Sequence, residues 1–191
     1  MDLNAHLKDY MKRTGKTLLS SPFDKLTKVA GILMEARKKD RWIFVAGNGG
    51  SAATASHLVN DFVKGLSVEN KKRFKVISLN DCVPLVMALS NDYSFEECFR
   101  EQLKNYASPD DVFLVFSGSG NSKNLVNAAS YAKEIGMNVV AFTGRDGGSV
   151  NAFCDINCIS ASDVMEEIED THMVWEHSLI CGLRQIITEE T

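Results

Sequence analysis

His57 and Asp61 stand four residues apart in a stretch with helical periodicity, so they share one face a turn apart and can act on one object. A second group of titratable side chains lies near the end of the chain: Glu166, Glu167, Glu169, Asp170, His172, Glu176 and His177. A run this acidic is usually a solvated helix face. Three of the four histidines, however, fall in these two segments beside carboxylates. Imidazole with carboxylate is a set suited to binding zinc or to moving protons near neutrality.

Two loops supply a different chemistry. Trp42-Ile43-Phe44-Val45-Ala46 runs into Gly47-Asn48-Gly49-Gly50-Ser51, and Val112-Phe113-Leu114-Val115-Phe116 runs into Ser117-Gly118-Ser119-Gly120-Asn121-Ser122. Each is an apolar strand that breaks into a Gly/Ser loop and then becomes a helix. The free amides at a helix start, together with its dipole, favour an anion. Three hydroxyls, Ser117, Ser119 and Ser122, can add neutral donors around a phosphate monoester. The first loop also matches the spacing of a dinucleotide fingerprint through Gly47, Gly49 and Ala52, but the next acidic residue after a strand, Asp81, lies well past the required position. Neither loop ends in the Gly-Lys-Ser/Thr of a P-loop. No nucleotide cofactor is expected.

The elements that must position these groups follow from hydrophobic period. Residues 2 to 39 read as helical, with Pro22 opening the second helix of a pair. Strands are predicted at 42 to 46, 74 to 79, 111 to 116, 138 to 142 and 155 to 159, and helices at 51 to 65, 82 to 90, 94 to 105, 122 to 135 and 164 to 188. Strands apolar throughout, separated by helices, make a five-stranded parallel sheet covered on both faces, an α/β three-layer sandwich with an N-terminal helical extension. Both Gly/Ser loops fall at carboxyl ends of strands, where such sheets bind ligands. Residues 1–191 read as one unit, with helices over 1–39 and the binding core over 40–191.

Bulk properties narrow the function further. A net charge of −4 leaves no basic footprint for nucleic acid, and no apolar stretch is long enough to cross a bilayer. The start of the chain has no basic-then-apolar leader, so a cytoplasmic setting is expected. The five cysteines, Cys82, Cys98, Cys154, Cys158 and Cys181, are expected to be buried reduced thiols.

Taken in order, Gly47-Asn48-Gly49-Gly50-Ser51, His57 with Asp61, Asn91-Asp92-Tyr93-Ser94-Phe95-Glu96, the Ser117–Ser122 loop, Thr143-Gly144-Arg145-Asp146-Gly147-Gly148 and Ile168-Glu169-Asp170-Thr171-His172 through His177 resemble the phosphoheptose isomerases of the SIS (sugar isomerase) domain superfamily. The resemblance runs from about residue 40 to the end. It implies a homotetramer with active sites between subunits, and isomerisation of sedoheptulose 7-phosphate to an aldose that feeds nucleotide-heptose synthesis for lipopolysaccharide or capsule. By position it makes Asp61 and His177 catalytic. It puts Asn48, Gly49, Gly50, Ser51, Lys64, Asn91, Asp92, Ser117, Gly118, Ser119, Ser122 and Glu169 around the substrate. Some members bind zinc, which here implies His57, Asp61, Glu169 and His177 as ligands.

Three positions depart from the family pattern. Aspartate at 61 replaces a longer glutamate, Glu169 replaces a glutamine, and Lys64-Gly65 stands for a Gly-Arg pair. These differences keep another phosphosugar open as substrate. A non-catalytic SIS module, such as the DnaA-binding replication regulator, is the alternative from another class, and it lacks the histidine that this chain keeps at 177. Geometry also constrains the metal: Glu169 and His177 are eight residues apart, about 12 Å along a straight helix, so one ion cannot bind both unless the helix is irregular or two chains contribute.

Overall fold

β-Branched and aromatic runs with no polar interruption can only be satisfied by strands buried on both faces. The computed structural model, which describes residues 1–190, has five strands: β1 (Trp42–Ala46), β2 (Lys75–Ser78), β3 (Val112–Ser117), β4 (Asn138–Gly144) and β5 (Ile156–Ser160), of which β1, β3 and β4 are buried almost throughout and β2, at the edge, exposes Ile77. All pair in parallel in the order β2-β1-β3-β4-β5, with Phe44 opposite Phe113 and Phe113 opposite Val139. The expected five-stranded parallel sheet is what forms, and strand ends shift by no more than two residues.

Seven α-helices surround it: α1 (Leu3–Leu19), α2 (Phe23–Lys38), α3 (Gly50–Asn60), α4 (Val83–Asp92), α5 (Cys98–Tyr106), α6 (Lys123–Glu134) and α7 (Met165–Glu189). Alternation along the strands sorts the core into two layers. Ile43, Val45, Leu114, Phe116, Val140 and Phe142 face α2, α3 and α7, where Val29, Leu58, Trp175 and Leu183 meet them. Phe44, Phe113, Val115, Val139 and Ala141 face the other way, onto Phe99 and Leu103 of α5 and Leu125 and Ala128 of α6. Each of the valine, leucine, isoleucine and phenylalanine side chains contributes about 1.5–3 kcal/mol on burial. The outermost helix, α1, docks on α7 through Tyr10 Oη donating to Asp170 Oδ2 (2.6 Å) and Arg13 Nε donating to Glu167 Oε1 (2.9 Å).

Two expectations need correction. The helix foreseen over 51 to 65 is α-helical only to Asn60; Asp61–Gly65 forms a π turn, in which Leu66 N–H donates to the Asp61 carbonyl five residues back at 2.9 Å. Such turns change which way a side chain faces within an otherwise regular helix. The thiols also differ among themselves. Cys98 and Cys158 are buried and Cys154 is half-buried, but Cys82, at the start of α4, and Cys181, on the outer face of α7, are exposed. Burial pushes the Cys154 and Cys158 thiols up to about 12, so they stay protonated and inert.

Candidate active site

The strand order reverses between β1 and β3: the chain leaves β1 towards β2 on one side, and leaves β3 towards β4 on the other. Loops that diverge there open a crevice at the carboxyl edge of the sheet. The Gly47–Ser51 and Ser117–Ser122 loops are those two loops, and a cleft of about 300 Å³ lies between them. Its walls include Asn48, Gly49, Gly50, Ser51, Ser117, Gly118, Ser119, Ser122 and Glu169, nine of the twelve residues expected around substrate.

The second loop is prepared to donate hydrogen bonds. Ser117 Oγ accepts from Gly120 N–H (3.1 Å) and Ser119 Oγ accepts from Asn121 N–H (3.2 Å). With each oxygen already engaged as an acceptor, each hydroxyl proton is free to donate outward. Ser122 precedes α6 without bonding its amides, so its hydroxyl and the helix's first N–H groups remain available. Gly120 holds φ at +65°, and a side chain there would collide with the Gly147 carbonyl. Glycine is required at that point.

The first loop is partly occupied by the protein itself. A Cβ on Gly50 would lie 2.6 to 2.7 Å from the Glu169 carboxylate oxygens, so this carboxylate sits over the start of α3. An acid there complements the helix dipole. Asn48 and Asn124 exchange amide hydrogen bonds, both 2.9 Å, which ties β1's loop to α6. Asn80 clamps Gly47 from both sides, accepting from its N–H and donating to its carbonyl (3.1 and 2.8 Å). Asn124 and Asn80 carry no sequence signal for these roles beyond being amides at element ends.

Further along α3 and α7 the titratable groups meet. His57 Nε2 is 2.9 Å from His177 Nε2, Asp61 Oδ2 is 3.6 Å from the first and 4.0 Å from the second, and Glu176 Oε2 is 3.5 Å from His177 Nε2. One donor atom from each of the four residues lies within 4.8 Å of every other. Glu176 has a fully buried side chain, and neither of its oxygens has a hydrogen-bond partner. Burial, reinforced by the negative charge of Asp61, pushes its carboxyl up to about 7. A buried carboxylate without partners is costly unless a proton or a cation supplies one. Two imidazoles and two carboxylates converging around it are a set that zinc takes.

Within one chain Glu169 is not part of this cluster. From Met165 onward α7 is unbroken, so the separation from His177 stands and the irregular-helix route to a shared ion is closed. Glu176, seven residues beyond Glu169 and adjacent to His177, is the α7 carboxylate that lies beside the two imidazoles.

Lys64, Asn91 and Asp92 are exposed and do not line the cleft. Lys64 lies in the π turn past the end of α3, and Asn91 and Asp92 end α4, a helix with no buried residue. His172 is also removed from the chemistry. It is 1% exposed, its Nε2–H donates to the Thr143 carbonyl at 3.0 Å, and burial depresses its pKa to about 4. Because the unfolded chain protonates it below about 6.5, stability from this group is present above that pH and is lost as pH falls towards 4, by up to about 3 kcal/mol. Denaturant titrations from pH 7 to 4 should show this loss in the parent and a shallower one in His172→Gln; equal slopes would refute it.

Comparison with known proteins gives a consistent setting. A family model described as the SIS domain matches residues 6–144. The chain is 35% identical over 172 residues, 90% of its length and 87% of the relative's, to the phosphoheptose isomerase of Aliarcobacter butzleri. Its backbone superposes on a phosphoheptose isomerase from Francisella tularensis with a TM-score of 0.88 at 25% identity, covering 96% of each chain. It superposes on that of Neisseria gonorrhoeae with a TM-score of 0.87 at 26% identity, covering 96% and 97%.

Proposed function

The chain belongs to the SIS domain family, among its phosphoheptose isomerases, and on that premise we propose that it converts D-sedoheptulose 7-phosphate to D-glycero-D-manno-heptose 7-phosphate. One observation carries the reading. Gly50 meets Glu169 at one end of α3 and α7, and His57 meets His177 seven and eight residues further on, so the helices run side by side and place the phosphate cleft about 10–12 Å from the titratable cluster. An open-chain sugar phosphate spans such an interval with its monoester at one end and its carbonyl at the other.

Within that frame Ser117, Ser119 and Ser122 donate to the phosphate and hold a flexible chain in reactive position. Asp61 accepts the proton from C1 and returns one to C2, while His177 Nε2 passes the hydroxyl proton between the two oxygens. Glu169, an acceptor on the wall between the two regions, reads sugar hydroxyls. A zinc ion held in this cluster by His57, Asp61 and Glu176 would polarise the carbonyl and favour the enediolate, leaving His177 Nε2 free to carry the proton.

Assembly completes the proposal. Leu3, Leu7 and Met11 form an exposed apolar stripe on α1, and Val83 and Met87 expose another on α4. These faces support a homotetramer in which Lys64, Asn91 and Asp92 reach a neighbouring copy's site. No helix among the described residues is long and apolar enough to cross a membrane. Unpaired thiols suit a reducing cytoplasm, where the product would enter nucleotide-heptose synthesis for lipopolysaccharide or capsule.

The reading is tested by incubating the protein with sedoheptulose 7-phosphate and following aldose formation with and without a chelator. Ser119→Ala should raise KM about tenfold or more while leaving kcat within a factor of a few, since it removes one donor to a charged group. An unchanged KM would withdraw the phosphate assignment.

A further inference from the structure

We propose that a second cleft, between α1 and the loops that follow β4 and β5, is a separate binding site for a small phosphomonoester. It has a volume of about 630 Å³, within the range that holds a metabolite. It opens at the same carboxyl edge of the sheet as the substrate cleft, but beside β4 and β5 instead of at the reversal of strand order.

Its base is already assembled. Glu167, 3% exposed, accepts from Arg13 Nε at 2.9 Å and from Ser162 Oγ at 2.8 Å, so its charge is fully engaged. Hydrogen bonding from Ser162 and Arg13 holds its carboxyl below the usual range. Arg13 in turn is shared with Asp9. What this leaves uncommitted is positive and donating. Lys16 and Arg145 line the cleft, and neither forms an ion pair among the described residues.

The hydroxyl of Ser160 is the observation that points to a ligand. Ser160 ends β5, is 1% exposed, lines this cleft, and has no hydrogen-bond partner for its Oγ. A buried hydroxyl left unsatisfied costs stability, and a phosphate oxygen would accept its proton. Asp163 is the single wall carboxylate without a cation, so two free cations face one free acid beside the buried hydroxyl. Val164, at the start of α7, adds the positive end of a 25-residue helix. A monoester dianion is complemented by all of these groups except Asp163, whereas a cation would meet two like charges.

The two clefts share the first turn of α7. Met165 and Glu169 face the substrate cleft, and Val164 and Glu167 face the second. A ligand in one therefore contacts a helix turn that shapes the other, which suits an effector of the same chemical class as the substrate.

Calorimetric titration with inorganic phosphate tests the proposal on the full chain. The parent is expected to bind two equivalents per chain. Ser119→Ala should weaken one class about tenfold or more and leave the other. The double variant Lys16→Ala, Arg145→Ala should do the reverse, and Ser160→Ala should weaken the same class as the double variant. A single equivalent that is lost in Ser119→Ala and indifferent to Lys16, Arg145 and Ser160 would overturn the second site. So would a double variant that changes only the sedimentation coefficient, since the cleft would then receive a neighbouring copy. Failure of the substrate-cleft assignment reads differently: Ser119→Ala would leave both equivalents intact.

Discussion

Replacing His177 by alanine is expected to lower kcat for isomerisation by on the order of a hundredfold or more, with KM changed by a factor of a few at most. Its imidazole lies half-exposed midway along α7, two turns on from the Gly/Ser cleft, 2.9 Å from His57 Nε2 and 4.0 Å from Asp61 Oδ2. A side chain in that position contributes little to the core, so its loss should be felt in proton transfer and not in folding. Asp61→Asn should match it, because an amide keeps the shape and loses the basicity. Steady-state kinetics alongside thermal melts separate the effects. A kcat within a few-fold of the parent, with folding intact, would remove His177 from the mechanism.

Glu176→Gln should change stability and cation binding in opposite directions. In the metal-free protein the carboxyl titrates near 7, against 4.5 in the unfolded chain. The folded state then holds a proton that the unfolded state has released, so the parent loses stability as pH rises from about 4.5 through 7, by about 3 kcal/mol in all. The glutamine variant has no such proton. In chelator it should therefore be more stable than the parent by about 2–3 kcal/mol at pH 8, with the difference closing near pH 5. With zinc added the order should reverse, since the parent keeps a buried carboxylate ligand and the variant loses one, weakening zinc about tenfold to a hundredfold. A pH-independent difference would refute the buried titration, and equal zinc affinities would take Glu176 out of the ligand set.

Much of this architecture is legible in the residues because the deciding signals are local. Val112–Phe116 is a short, β-branched and aromatic run with no polar interruption, stopped by a Gly/Ser loop, which marks a central strand, and Gly136, with φ at +84°, ends α6 as its position before Met137 suggests. The Ser117–Ser122 loop is equally plain, since hydroxyls, glycines and a helix start lie within six residues. What escapes such reading depends on rotation and distance across elements. Glu169 and Glu176 are two carboxylates on one helix face, and only the packing of α7 against α3 decides that one covers Gly50 while the other reaches His177. The exposed Cys82 and Cys181 depend likewise on which helix face turns outward. Asn124 gains its role from a partner 76 residues away in the chain.

The central claim is that one site grips a phosphate at one end and moves protons between adjacent carbons at the other. Nuclear magnetic resonance of sedoheptulose 7-phosphate incubated with the protein and zinc in deuterated water tests it most directly. The account predicts new aldose anomeric signals, deuterium at C2 of the aldose, and exchange at C1 of the remaining ketose. Unchanged ketose, with neither aldose nor exchange at C1 while the protein is folded and zinc-loaded, would contradict it.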